Sequence, residues 1–300
     1  MNLKFVDMFC GMGTIRMGFE QAGWECVYSI EWDNYKRKIY EVIFGNEPEG
    51  SDIREVKYND IPRADCWTFG APCQDFSIAG TRSGMEGDRS SLVREVFRLI
   101  RETEEKHRPE WLLYENVKGM LSSNKGLDYL EILSEMESFG YDIQWQIINS
   151  KDFGVPQNRE RVFTIGHLRR RGRREIFPIG YIPKSINTTG KKNNKQLAMS
   201  FTAIKVIRVV NVSNTLLACG PSRGIGNNNP ITGVLVNKTT NWKLRKLTPK
   251  ECMRLQGIPD YITNKLIEAK ISDTQMYIAA GDACTRNVIY EIANKIKNSN

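Results

Sequence analysis

Residues 6–14 read VDMFCGMGT, an apolar run followed by glycines at 11 and 13 and then by Thr14 at the head of an amphipathic stretch. Strand, tight turn and helix in immediate succession let a ligand approach the backbone closely, with a helix N-terminus behind it. The next glycine is Gly18, too late for G-x-G-x-x-G, so a dinucleotide pyrophosphate is poorly supported. Taken alone, the same residues also serve as a purely structural turn.

Outward from this turn the first half keeps one cadence. CVYSIE (26–31), a helical pattern over 33–44, ADCWTFG (64–70), a helix-like 90–106, EWLLYENV (110–117), a helix-like 126–138, DIQWQIIN (142–149) and RVFTIGHL (161–168) alternate short apolar runs with amphipathic stretches. Parallel strands joined by helices read this way, and the expected fold is α/β with a doubly wound, mostly parallel sheet. Counting GSDIREV (50–56) as a unit of its own makes 64–70 the fourth strand. After 168 the pattern breaks into RRRGRRE, NTTGKKNNKQ and CGPSRGIGNNNPITG, with β-like runs at 204–212 and 232–237. This is expected to be a smaller, loop-rich and mainly β domain over 169–269, the main domain being 1–168 with 270–300. In LTPKECMRLQGI, Thr248 is placed to cap a helix and Pro249 to stand at its first position. A last helix over 284–297 has Val288, Ile289, Ile292 and Ile296 on one face, which predicts that the C-terminus packs back on the sheet.

Charge divides along the same line. Of 43 Lys and Arg and 35 Asp and Glu, residues 1–165 hold 20 basic and 28 acidic side chains, net −8, and residues 166–300 hold 23 and 7, net +16. The stretch 169–250 has 17 basic residues against the single acid Glu175. Such a surface suits a polyanion, although a solvated basic face kept for solubility has the same composition. Seven cysteines without a C-x-x-C pair, and two histidines, point to neither a zinc cluster nor a disulfide framework. No metal is expected. No stretch approaches membrane-spanning length and the N-terminus has no cleavage-like segment, so a reduced, cytoplasmic protein is expected.

Glu31 ends the second strand, where a carboxylate accepts hydrogen bonds from ribose hydroxyls, and the adjacent Trp32 indole suits an adenine face. Asp52 and Ile53 are placed to meet the adenine edge. In GAPCQDFS (70–77), Cys73 lies just past a strand end, the edge where open α/β sheets bind ligands. The polar stretch 75–91 after it has the length of a mobile loop. Glu115 in YENV belongs to the next strand end. A thiol beside a carboxyl suits attack on an electron-poor ring, the acid protonating or hydrogen-bonding a ring nitrogen. Either residue alone also reads as ordinary core or surface.

The motifs DMFCGMGT, EWDN, SDI, GAPCQDFS, ENV, QNRERV, a variable basic region, LTPKECMRLQGIPD and GDACTRNV, in this order, resemble the cytosine-5 DNA methyltransferases over most of the chain. The resemblance implies a Rossmann-like methyltransferase fold with a target-recognition domain, S-adenosylmethionine as cofactor and double-stranded DNA as partner. It further implies that Cys73 attacks cytosine C6, that Glu115 acts at N3, and that Arg161 contacts the flipped base while Gln157 and Arg159 arrange its loop. The cofactor site would comprise Phe9, Gly11, Gly13, Glu31, Trp32, Asp52, Ile53, Pro72, Leu92, Asp282 and Ala283. Thr215 and Leu216 match the family's recognition pair. Arg169, Arg170 and Arg171, at the head of the basic stretch, are expected to contact DNA phosphates. Three positions depart from the pattern: Thr14 where a third small glycine is common, Asp75 after P-C-Q, and Asp282 in place of asparagine. The compact length fits a monomeric bacterial or phage modification enzyme, with a cognate restriction endonuclease as a possible companion. An RNA cytosine methyltransferase of the same fold, or a catalytically silent DNA-binding relative, are the alternatives.

Overall fold

The structure, a computed structural model, describes residues 2–71, 91–180, 198–202, 206–210, 213–214, 231–238 and 241–299. Of the expected site residues, Pro72, Cys73, Asp75, Thr215 and Leu216 lie outside the described residues. The chain divides into two compact units, Met1–Ile148 with Glu160–Ile179 and Val288–Asn300, and Asn149–Arg159 with Gly180–Asn287.

In the first unit, β1 (Lys4–Met8) leads through the glycine turn into α1 (Thr14–Gln21), followed by β2 (Glu25–Ile30), α2 (Asn34–Phe44), β3 (Cys66–Phe69), α3 (Ser91–Glu102), β4 (Trp111–Val117), α4 (Leu127–Ser138) and β5 (Tyr141–Asn149). Beyond the two-residue β6 (Gln157–Asn158) of the second unit, β7 (Glu160–Leu168) returns to this sheet. The strand order is β2-β1-β3-β4-β7-β5. β1 pairs in parallel with β2 and β3, and β3 with β4, whereas β7 runs antiparallel to β4. Strands covered on both faces are continuous apolar runs, and Phe5, Val6, Met8, Cys66, Trp67 and Phe69 are accordingly buried. The segment around residue 50 forms only an isolated bridge, Ile30 to Gly50, and then turns. The strand at 66–69 is therefore the third and not the fourth.

Local signals set the helix ends. The Asp33 side chain accepts from the Tyr35 and Lys36 amides at the start of α2, and Gly45, in the left-handed region at φ 83°, closes it. In α8 (Arg286–Ser299) the face of Val288, Ile289, Ile292 and Ile296 is buried. It meets α1 and the approach to β2: the Trp24 indole donates to the Ala293 carbonyl at 3.2 Å, and a Cβ at Gly18 would come within 2.6 Å of Ile289 Cγ2.

The second unit has a four-stranded antiparallel sheet in the order β12-β11-β8-β9, formed by β8 (Ala198–Thr202), β9 (Val206–Val210), β11 (Ile231–Lys238) and β12 (Asn241–Lys246). β10 (Ser213–Asn214) pairs with β6. Three helices follow, α5 (Pro249–Leu255), α6 (Asp260–Glu268) and α7 (Asp273–Asp282). α5 opens on the expected box, Glu251 N donating to Thr248 Oγ1 and Thr248 N to Glu251 Oε2. α6 and α7 are not singled out by the sequence arguments, although Ser272 caps α7, accepting from Gln275 N, and acidic Asp260 and Asp273 open the two helices.

Candidate active site

The end of β1 turns sharply. Phe9 and Gly11 have φ of 61° and 58°, and Gly13 has 82°. A Cβ at Gly13 would strike the Phe44 ring at 2.3 Å, which helix packing does not admit, whereas a Cβ at Gly11 would meet nothing within 4 Å among the described residues. Open space thus lies over the turn at Gly11. Glu31, 5% exposed, reaches back from β2: its Oε2 accepts from Gly11 N at 2.8 Å and its Oε1 from Asp33 N at 2.9 Å. Burial raises the Glu31 carboxyl above its ordinary value, against the pull of Lys36 and of these two amides. Trp32 is 64% exposed beside it. The expected residues Phe9, Gly11, Gly13, Glu31 and Trp32 therefore gather at one edge of the sheet.

The others are placed less uniformly. Ile53 is buried and belongs to the core cluster; its side chain does not line open space. Asp52 is held by Arg54, whose hydrogen bonds lower the carboxyl's pKa. Leu92, on α3, is partly buried against the core. Asp282 and Ala283 belong to the second unit, at the end of α7.

Glu115 and Arg161 meet because β7 lies against β4. The register sets Val117 opposite Arg161 and Glu115 opposite Phe163, and Arg161 Nε lies 3.2 Å from Glu115 Oε1, each side chain 15% exposed. A Cβ at Gly70, just past β3, would stand 3.3 Å from Glu115 Oε2. Neighbouring Asn116, to which the sequence arguments give no role, is buried; it donates to the Tyr114 hydroxyl and accepts from Val117 N. In the second unit Arg159 and Gln157 are buried, Arg159 Nη2 donating to the Gly281 carbonyl at 3.0 Å and Gln157 Nε2 to the Leu255 carbonyl at 2.7 Å. Arg161 thus faces Glu115, while Arg159 and Gln157 tie down backbone.

Arg169, Arg170 and Arg171 stand at the other end of β7. Since Trp111 pairs with His167 and Val117 with Arg161, eight residues of extended chain, roughly 26 Å, separate Arg169 from Arg161. Arg169 pairs with Asp142 at 2.7 Å, Arg171 with Glu110 at 3.6 Å, and Arg170 donates to the Glu105 carbonyl. These three stand at the end of the strand away from Glu115, each engaged by its own unit.

Four described thiols are kept from ionising. Burial pushes Cys10 and Cys66 well above the ordinary cysteine range, with Asp7 adding to both, and raises Cys26 and Cys252 to about 12. None is primed as a nucleophile. No three metal-ligating side chains gather among the described residues, and no described helix is long and apolar enough to cross a membrane.

The family model for C-5 cytosine-specific DNA methylases matches residues 3–216 and 183–298. The chain belongs to that family. Among relatives of this methylase, type II methyltransferase M.HhaI of Haemophilus parahaemolyticus is 32% identical over 324 residues, covering 99% of this chain and 95% of that protein. M.Bsp6I of Bacillus sp. (strain RFL6) is 32% identical over 326 residues, 99% of each. Of solved structures, the S. pombe Dnmt2 methyltransferase superposes with a TM-score of 0.76 at 17% identity over the whole of both chains. The Entamoeba histolytica methyltransferase EhMeth gives 0.70 at 17%, over 99% of this chain and 98% of that one. At these identities the two structures speak for the fold, an α/β methyltransferase fold with a mostly parallel sheet.

Proposed function

We propose that this methylase transfers a methyl group from S-adenosylmethionine to C5 of a cytosine flipped out of a specific duplex DNA sequence, through a covalent adduct with Cys73. The observation that carries the reading is the Glu115–Arg161 pair, partly exposed at the sheet edge beside Gly70. Cys73 follows Gly70 by three residues, a covalent reach of about 11 Å. A ring carbon stacked in duplex DNA is inaccessible to a thiol, which is why the base must swing out. The Cys73 thiolate forms a bond to C6 and moves the C5–C6 electron pair onto C5, with Glu115 protonating or hydrogen-bonding N3 and Arg161 holding the base. When bound, S-adenosylmethionine supplies the methyl group that C5 takes up. A base then removes the C5 proton, the C5–C6 double bond returns and the thiolate leaves.

The residues present fit that cofactor. The open space over Gly11 admits it close to the backbone, Glu31 retains lone pairs for ribose hydroxyls, and the exposed Trp32 indole offers an adenine face. For the 169–269 region, a target-recognition role including Thr215 and Leu216 is supported by the basic composition of 169–250. Plasmid DNA incubated with the protein and S-adenosylmethionine, then bisulfite-sequenced, should show C5 methylation confined to one short sequence. Duplex carrying 5-fluorocytosine there should stall as a detergent-resistant complex cross-linked at the peptide containing Cys73, since fluorine cannot leave as a proton. An adduct on Cys10 or Cys284, or no adduct on a sequence that is otherwise methylated, refutes the assignment.

A further inference from the structure

Residues 149–159 form a short loop, yet Gln157 and Arg159 on it are almost wholly buried. What holds the loop comes from LTPKECMRLQGIPD and GDACTRNV, two motifs to which the chemistry above assigns no reacting group. Ser150 N donates to the Arg159 carbonyl at 3.0 Å. The Ser150 hydroxyl lies 2.8 Å from that of Thr285. Thr285 donates to Gln256 Oε1 at 3.0 Å, and Gln256 Nε2 to the Ala280 carbonyl at 2.7 Å. The next carbonyl, Gly281, accepts from the Arg159 guanidinium at 3.0 Å.

A hydroxyl has one proton to donate. Thr285, donating to Gln256, must therefore accept from Ser150. The bonds then run one way, from Ser150 through Thr285 and Gln256 to Ala280, the Arg159 carbonyl being a second and longer acceptor of the Ser150 hydroxyl at 3.3 Å, and the guanidinium on adjacent Gly281 closes the circuit on the residue whose carbonyl Ser150 N holds. Ser150, Thr285 and Gln256 are 3%, 2% and 0% exposed, so breaking one link leaves a buried polar group unsatisfied rather than hydrated. The Gln256 carbonyl also accepts from Arg286 N at 3.0 Å, fixing Gln256 from its backbone side.

We propose that Thr285 and Gln256 are positioning residues for methyl transfer, setting through Ser150 and Arg159 the backbone that presents Arg161 two residues later. This rests on the reading of Arg161 as the residue that holds the flipped base. Neither positioning residue is assigned a contact with cofactor or DNA, so the effect belongs on the chemical step and not on either affinity.

Thr285→Val keeps the volume and removes the hydroxyl; Thr285→Ser keeps the hydroxyl and removes the methyl. Single-turnover methylation at saturating DNA and S-adenosylmethionine is measured beside the dissociation constants of both. Displacing a catalytic group by about 1 Å costs up to about 100-fold, so T285V should be slowed about 10- to 100-fold with both constants within about twofold, and T285S should recover to within about threefold. A wild-type rate for T285V overturns the proposal, as does a T285S as slow as T285V, which assigns the effect to packing, or a loss confined to affinity. Should T285V not fold, Thr285→Ala cuts the circuit at the same hydroxyl: a slowed rate with unchanged affinities beside a near-normal T285S supports the proposal and a wild-type rate overturns it. Arg161→Ala separates the two readings. Full turnover there removes the role given to Arg161, whereas an inactive R161A beside a fully active T285V overturns the positioning role alone.

Discussion

Asp7 is wholly buried in β1, beneath the glycine turn. Its Oδ1 lies 3.1 Å from the Thr68 hydroxyl, and its Oδ2 has no hydrogen-bond partner among the described residues. Burial raises its pKa from 3.8 to about 7, opposed by Thr68 and Arg16 and reinforced by Glu31. Below about pH 4 the carboxyl is protonated in folded and unfolded chains alike. Between about 4 and 7 the folded chain keeps a proton that the unfolded chain has lost, so stability falls as pH rises; above about 7 both forms are ionised and the loss is complete. At about 1.4 kcal/mol per pH unit the interval amounts to about 4 kcal/mol. Asp7→Asn is neutral throughout and should match the wild type near pH 4, gain on it with rising pH, and exceed it by several kcal/mol at pH 8. Urea unfolding of both proteins at pH 5, 6, 7 and 8 measures the difference. A difference that does not change between pH 5 and 8 refutes the reasoning, because the carboxyl would then be titrating as an ordinary one.

Cys73→Ser should abolish methyl transfer while leaving DNA binding in a gel-shift assay, and Glu115→Gln should also cripple the rate because an amide is a poor proton donor to the ring nitrogen. Undiminished turnover in either removes that residue from the mechanism. If the acids and carbonyl of their own unit hold Arg169, Arg170 and Arg171, neutralising all three should change the slope of log affinity against log salt by less than about 1, since one phosphate contact contributes about 0.9; a larger change places them at the DNA interface. Gly18→Ala places a Cβ 2.6 Å from Ile289 Cγ2 and 3.0 Å from Tyr290 N, and should cost about 1–3 kcal/mol of stability by overpacking, read as a lowered denaturation midpoint.

The features legible in the sequence are those that neighbours along the chain decide. VDMFCGMGT yields strand, turn and helix because apolar periodicity, glycine freedom and a helix start are local properties, and Glu31 falls at a strand tip for the same reason. The Thr248–Glu251 box and the apolar face of α8 likewise need only residues three or four apart. Pairings made across the sheet were decided by tertiary structure. Arg161 reaches Glu115 because β7 inserts antiparallel beside β4, out of chain order, and that same reversal carries Arg169–Arg171 to the far edge, where acids of their own unit engage them. Composition alone gave the cluster its charge but not the partners it has within its own unit. Ile53 taken alone reads as ordinary core, and the fold does turn it there, whereas Asp7, a lone acid in an apolar run, gave no sign of how completely its carboxyl would be enclosed. Ser150 and Thr285 lie 135 positions apart, each an ordinary hydroxyl in its own stretch. Burial joins them, because a polar group shut away from water must find its partner wherever the fold has brought one.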